Sequence, residues 1–288
     1  MIKIDNLSFH YGFRKKKVIF DGLNLQLPAG NIYGLLGENG VGKSTLLYLI
    51  AGLLTPQKGK VTFDDTDVRR RTPGILSHTF LVPEEIELPA LKLKDYLAIN
   101  APFYPHFSHE NMKKNMEMFE LEPDLHLGNL SMGQKKKVFM SFALATNALL
   151  YLMDEPTNGL DIPGKSHFRQ FIASNMTEEK TIIISTHQVK DIDLLLDHVT
   201  IMSNERILLN ESIGSIADHL SFINSDDPEL RKKSLYTQPS LQGYNMIIPN
   251  TGGTGQSTVN IESLFNMVIK TSPEEINRIF NPSNDSIA

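Results

Sequence analysis

Gly37-Glu38-Asn39-Gly40-Val41-Gly42-Lys43-Ser44 is the stretch on which the reading of this chain turns. It satisfies the pattern G-x-x-x-x-G-K-[ST], and its flanks supply the context that the pattern needs. The apolar run 32–36 suits a short buried strand and residues 45–51 favour a helix, so the order is strand, glycine-rich loop, helix. Glycines let successive backbone N–H groups turn toward one anion, and the start of the helix adds the positive end of its dipole at the same point. On that geometry Lys43 reaches the outer phosphates of a nucleotide, Ser44 offers a hydroxyl to Mg²⁺, and Thr45 bonds a more internal phosphate. A second glycine-rich stretch, Thr251-Gly252-Gly253-Thr254-Gly255-Gln256-Ser257-Thr258, lacks a lysine at the required place and reads as a turn between strands.

Upstream of the loop, the alternation of Ile2, Ile4, Leu7 and Phe9 predicts an opening strand, and 18–27 a second, closed by the turn Pro28-Ala29-Gly30. Downstream, 60–63 and 79–82 read as strands, after which the pattern becomes helical. A largely helical insertion is expected over about 93–148, with its clearest helices at 112–119 and 134–144. Strands return at 149–153 and 181–185 around a helix at 166–175, the signature of a parallel βαβ unit. Residues 199–202 and 206–209 form a hairpin candidate. The fold class expected is α/β: a phosphate-loop core with a parallel sheet, an N-terminal antiparallel β subdomain, the helical insertion and a small C-terminal extension. The main domain is placed at 1–210 and an accessory region at 211–288, where the one firm element is a final helix opened by Ser272-Pro273-Glu274-Glu275.

The run Leu149-Leu150-Tyr151-Leu152-Met153-Asp154-Glu155 sets two carboxylates where a buried strand emerges at its C-terminal end, the edge that faces the ligand crevice in open α/β sheets. Such a pair in isolation is a solvated turn; below a phosphate loop it divides into two roles. Asp154 suits the Mg²⁺ shell, and Glu155 suits the polarisation of a water that attacks the γ-phosphate.

With these motifs in place, residues 1–210 resemble the ATP-binding cassette (ABC) family, a branch of the P-loop NTPases. Leu130-Ser131-Met132-Gly133-Gln134 looks like its signature motif, Asn158-Gly159-Leu160-Asp161 like its D-loop, and Ser185-Thr186-His187 like its switch. The resemblance implies that Tyr11 stacks on adenine, that His187 contacts the γ-phosphate, and that Asp161 couples two sites across a dimer. It also implies that Ser131, Gly133 and Gln134 meet the ATP held by the opposite protomer, and a helix start capped by serine is itself suited to an anion. Two positions depart from the pattern. Glu84, in Val82-Pro83-Glu84-Glu85, stands where the family has glutamine and adds a negative charge beside the Mg²⁺ it would help to coordinate; Met132 stands where glycine is common.

Composition narrows the use of such an ATPase. The chain has 288 residues, 41% hydrophobic and 21% charged, a formal net charge of -5 and no cysteine. Disulfides, thiolate metal sites and cysteine nucleophiles are excluded, and the charge argues against a globally basic nucleic-acid binder. The N-terminus, Met1-Ile2-Lys3-Ile4-Asp5, lacks the pattern of a secretory signal, and the most apolar stretch, 138–153, is too short for a bilayer span. The runs Arg14-Lys15-Lys16-Lys17, Arg69-Arg70-Arg71 and Lys135-Lys136-Lys137 read as solvated surface. The resemblance then implies a subunit that dimerises around two MgATP and drives transport through separately encoded membrane subunits, on the cytoplasmic face of the membrane. Residues 84–104 are the expected coupling surface, and the lack of an import signature points to export. The competing uses are a soluble cassette acting on ribosomes or nucleic acid, and a non-catalytic ATP binder, against which Lys43, Asp154, Glu155 and His187 argue.

Overall fold

The first two strands, β1 (Ile2–Tyr11) and β2 (Lys17–Leu27), pair antiparallel with Ile2 opposite Leu27, and their alternate residues Ile4, Leu7, Phe9 and Phe20 are buried. The computed structural model describes residues 1–12, 17–203, 205–241, 243–250 and 258–280. Residues 14–16 of the first basic run and 251–257 of the second glycine-rich stretch therefore lie outside the described residues. After the opening pair come β3 (Ile32–Gly37), α1 (Lys43–Ile50), β4 (Lys58–Phe63), β5 (Thr66–Asp67), α2 (Pro73–His78) and β6 (Thr79–Val82). The segment expected to be helical holds α3 (Leu93–Asn100), α4 (His109–Met118) and α5 (Met132–Ala145). It leads to β7 (Leu150–Asp154), α6 (Ile162–Asn175), β8 (Thr181–Thr186), β9 (His198–Ser203) and β10 (Arg206–Ser212).

Two sheets arise from this order. β2-β1-β4-β5 form an antiparallel sheet, and β10-β9-β3-β8-β7-β6 a six-stranded one in which only β10, the partner of the β9–β10 hairpin, runs antiparallel. The central strands are buried on both faces, as parallel strands require. Tyr33, Leu35, Leu150, Leu152 and Ile183 pack with Leu47 of α1 and Phe20 of the antiparallel sheet. Leu36, Tyr151, Met153, Ile182 and Ile184 point the other way, toward Phe142 of α5 and Phe168 and Phe171 of α6.

Two helices start a turn before their expected limits, and a third was not expected, each because of a cap. Ser108 Oγ accepts from Asn111 N at 3.1 Å, so α4 starts three residues before the expected 112. Asp161 Oδ1 accepts from Gly164 N at 3.0 Å, with Pro163 in the first turn, so α6 starts at 162 and not 166. Thr72 caps the short α2, which the residue pattern does not reveal.

Beyond β10 the chain forms α7 (Ile213–His219), β11 (Leu220–Ser225), α8 (Pro228–Lys233), β12 (Tyr236–Ser240), β13 (Gly243–Pro249), α9 (Ile261–Lys270) and α10 (Pro273–Phe280). β11-β13-β12 make a small antiparallel sheet, and the final helix begins as expected, with Ser272 Oγ accepting from Glu275 N at 3.3 Å. Leu264, Met267 and Val268 of α9 belong to the same buried cluster as Val199 and Ile201 of β9.

One irregularity in the antiparallel sheet, within β4, demands glycine. The β1–β4 ladder slips between Asp5 and Ser8, Gly59 sits at φ +75°, and a Cβ there would lie 2.3 Å from the carbonyl oxygens of Asp5 and Asn6. Gly59→Ala forces both a left-handed alanine and a backbone shift, so it lowers stability by about 2 kcal/mol or more, read as a reduced midpoint in urea unfolding.

Candidate functional site

β3 ends at Gly37, and the chain turns through Gly40 at φ +79° and Gly42 at φ +109° before α1 begins. A Cβ on Gly42 would also strike Ile19 at 2.7 Å, so the loop's shape and its packing on β2 both exclude a side chain. No side chain caps α1, which leaves its first-turn amides facing the loop. Lys43, only 6% exposed, turns back over the loop: its Nζ donates to Gly37 O at 2.8 Å and Glu38 O at 3.2 Å, and lies 3.9 Å from Glu155 Oε1. Burial pushes its pKa below the ordinary lysine value, and the carboxylates of Glu155, Asp154 and Glu84 pull it back up.

The carboxylates arrive on neighbouring strands. β7 and β8 pair in register with Asp154 beside Ser185, whose Oγ donates to Asp154 Oδ1. Glu155 follows at φ +43°, a left-handed conformation rare outside glycine, and its amide donates to Ser185 O at 3.1 Å. Its Oε1 lies 2.8 Å from His187 Nδ1, a bond in which the ring N–H donates. Its Oε2 is buried and has no hydrogen-bond partner among the described residues.

A cavity of 340 Å³ gathers Lys43, Glu155 and His187, while Asp154 is not among the residues that line it. Asn39, Gly40 and residues 42–45 form one side, Glu84, Glu155 and His187 the other, and Tyr11 the rim, where its hydroxyl shares a 3.2 Å hydrogen bond with Thr45 Oγ1. Glu84 Oε1 accepts from Asn158 Nδ2 at 3.1 Å. The cluster fits a Mg²⁺ ion shared with phosphates. Mg²⁺ takes oxygen ligands, usually one or two carboxylates with the rest from water and phosphate. Ser44 and Asp154, with Glu84 alongside, offer that set, and among the described residues no group of three or more His, Cys, Asp or Glu is arranged to hold a metal by protein alone.

Ser131, Gly133, Gln134 and Asp161 do not line this cavity. Ser131 Oγ and Gln134 Oε1 form a reciprocal capping box at the start of α5, and Asp161 caps α6 with Lys137 Nζ 3.9 Å away. Met132, at the departure from the signature pattern, is exposed.

The basic run 135–137 needs correction. Lys136 is not solvated surface: it is 3% exposed, and its Nζ donates to Glu155 O at 3.0 Å and Asn158 O at 2.9 Å. Helical spacing held the signal, since 136, 140 and 143 share one face and Met140 and Ala143 are fully buried. Gln188 was also unforeseen; its Nε2 donates to Asn158 Oδ1 at 3.3 Å, joining the switch to the turn after β7.

With the geometry described, comparison with known proteins assigns the chain. The family description "ABC transporter" matches residues 20–158. The chain is 31% identical over 215 residues to the bacitracin transport ATP-binding protein BcrA of Bacillus licheniformis, covering 72% of this chain and 68% of that one. It is 30% identical over 226 residues to the ABC transporter ATP-binding protein NatA of Bacillus subtilis (strain 168), covering 75% and 91%. In fold it is similar to the dimeric ATP-binding cassette MJ0796 in a post-hydrolysis state bound to ADP and Pi, with a TM-score of 0.65 at 24% identity over 74% of this chain and 98% of that one. This chain belongs to the family of ABC transporter ATP-binding subunits, and it is an ATPase.

Proposed function

We propose that two protomers close around two MgATP, each site built from the 37–45 loop of one and the signature cap of the other, and that this closure drives export through separately encoded membrane subunits. The observation that carries the catalytic part is Glu155, which lines the same cavity as Lys43: one carboxylate oxygen is held by His187, and the other is buried with no hydrogen-bond partner among the described residues. On binding ATP, Lys43 exchanges the carbonyls of Gly37 and Glu38 for phosphate oxygens, and the amides at the start of α1 hold the same phosphates. Ser44 and Asp154 would hold Mg²⁺, with Glu84 beside them, and the bound ion would supply positive charge to the phosphate oxygens. Tyr11 stacks on the adenine at the rim. Glu155 Oε2 takes a proton from water as the oxygen attacks the γ-phosphorus and the bond to the ADP oxygen breaks, while His187 orients the glutamate and meets the γ-phosphate.

The separation of Ser131, Gly133 and Gln134 from the cavity supports supply of these groups by a second chain, identical or homologous, with Asp161 at the contact between the two sites. Hydrolysis removes the phosphate that bridges the protomers, and they part. The membrane side of the reading rests on exposed apolar residues in the 84–104 region and just before it ends: Ile99 is 57% exposed and Phe103 72%. Among the described residues no helix is long and apolar enough to cross a membrane, which supports a peripheral subunit on the cytoplasmic face of the membrane. The reading as a soluble cassette on ribosomes or nucleic acid loses support with the burial of Lys136, which breaks one of its three basic runs.

Glu155→Gln keeps ATP binding, lowers turnover by about 100-fold or more, and yields an ATP-dependent dimer on size-exclusion chromatography; undiminished turnover would sink the base assignment. Tagged chain recovered from gently solubilised native membranes brings down a stoichiometric polytopic membrane protein, and Phe103→Asp loses that partner while retaining ATP binding. Recovery of ribosomes or nucleic acid alone transfers the function to the soluble reading.

A further inference from the structure

We propose that Lys136 is a positioning residue for hydrolysis: from the signature-bearing helix α5 it clamps the turn that presents Glu155, and it balances the extra carboxylate that Glu84 brings to the nucleotide cleft. The proposal deepens the reading above and rests on Glu155 as the base.

The clamp is a matter of geometry. A lysine this deeply buried is costly unless its ammonium finds partners, and both of its acceptors here are main-chain carbonyls of one turn. That turn is short: Asn158 N donates to Glu155 O at 3.2 Å, and Lys136 Nζ caps the same oxygen at 3.0 Å together with Asn158 O at 2.9 Å. The residue so held is the one whose backbone is strained, Glu155 at φ +43°. A left-handed glutamate persists only where its surroundings over-determine it, and here the Ser185 contact fixes its amide while Lys136 fixes its carbonyl. The direction of the Glu155 side chain follows from that backbone.

Charge is the second half. Glu84 and Glu155 line the cleft and Asp154 adds its charge from the end of β7, so three carboxylates act on Lys43, which lines the cleft, and on Lys136, which does not; these two are the buried lysines among the described residues. Burial pulls the Lys136 pKa below the ordinary value, and Glu84, then Glu155 and Asp154, push it up. Lys136 meets Glu84 through Asn158, whose carbonyl accepts from Nζ and whose Nδ2 donates to Glu84 Oε1 at 3.1 Å. The acidic residue at 84 and the basic residue at 136 thus act on the same turn from its two sides.

The test measures kcat and ATP affinity of the full chain as wild type, Lys136→Met, Lys136→Gln, Glu155→Gln and Lys136→Met with Glu84→Gln, with thermal melting of each. Lys136→Met lowers kcat by about 30-fold or more while the ATP Kd moves by less than about threefold, the split expected of a group that positions the base. Lys136→Gln, which keeps N–H donors without the charge, falls between the two and stands in if Lys136→Met does not fold. Adding Glu84→Gln to Lys136→Met raises turnover by about fivefold or more, because it returns the excess of carboxylates over lysines to the wild-type value of one. A Lys136→Met kcat within about twofold of wild type, a loss of affinity in proportion to the loss of turnover, or a double variant no faster than Lys136→Met overturns the proposal. Glu155→Gln separates the two ideas: if it is inactive while Lys136→Met is unimpaired, only the Lys136 assignment falls, whereas wild-type turnover in Glu155→Gln brings down the base assignment beneath it.

Discussion

The in-register parallel pairing of β3, β8 and β7 is the constraint on which the site depends. Leu36 lies beside Thr186, and Asp154 beside Ser185, so the three strands end at one edge of the sheet within a residue of each other. Parallel strands expose their carboxyl ends together, and a ligand crevice forms there without further invention. The glycine loop leaves the end of β3, the two acids the end of β7 and His187 the end of β8, which brings together groups more than a hundred residues apart in the chain. A slip of one residue in the β7–β8 register would turn Asp154 away from Ser185 and exchange which of the two acids is buried against the switch. The apolar residues that hold the register are therefore part of the catalytic apparatus: Leu150, Tyr151, Leu152 and Met153 are fully buried, alternate residues on alternate faces.

Within that frame the cleft is electrostatically expensive. Lys43, Asp154 and Glu155 are almost wholly removed from water, and a buried charge is tolerated only when it is paired or hydrogen-bonded. Each has an internal partner: Lys43 the carbonyls at the head of the loop, Asp154 the Ser185 hydroxyl, Glu155 the His187 ring. Glu155 Oε2, buried with no hydrogen-bond partner among the described residues, is the oxygen the proposed reaction uses. Lys43 is held by acceptors, which phosphate oxygens can replace, whereas Asp154 and Glu155 are held by donors, which phosphate oxygens cannot.

Legibility in the sequence followed the range of the interaction. The glycine loop was readable because eight consecutive residues carry its whole mechanism, and the acidic pair because it ends an uninterrupted apolar run. Helix starts at Ser108 and Asp161 were harder, since a single side-chain to backbone hydrogen bond moves the boundary by a turn while leaving the apolar periodicity unchanged. Lys136 was misread because a run of three lysines masks the helical phase that separates a buried member from half-buried ones. The C-terminal sheet was illegible for a different reason. Its strands are mostly half-buried and polar, β12 carries Pro239 as only an edge strand can, and the buried residues are confined to Leu220 and Ser221 of β11 and Met246, Ile247 and Ile248 of β13.

What the C-terminal segment does physically is visible in how α9 meets the switch. The short 3-10 turn Val189–Asp191 follows His187 directly, and Lys190 pairs with Glu262 of α9 at 2.9 Å. Both side chains are exposed, and an exposed pair contributes about 0–1 kcal/mol, too little to fix one element on another. The attachment comes instead from Leu264, Met267 and Val268, which enter the same cluster as Ile192, Val199 and Ile201. Ile192 sits just past the switch turn, and Val199 lies in β9, beside Gly34 of β3. Apolar burial of this kind is not weakened by salt and does not direct orientation, whereas the ion pair does little for stability but selects one registry of α9 against the turn. The segment from α9 onward is thus bonded to the switch through the core and aligned to it through a surface charge pair.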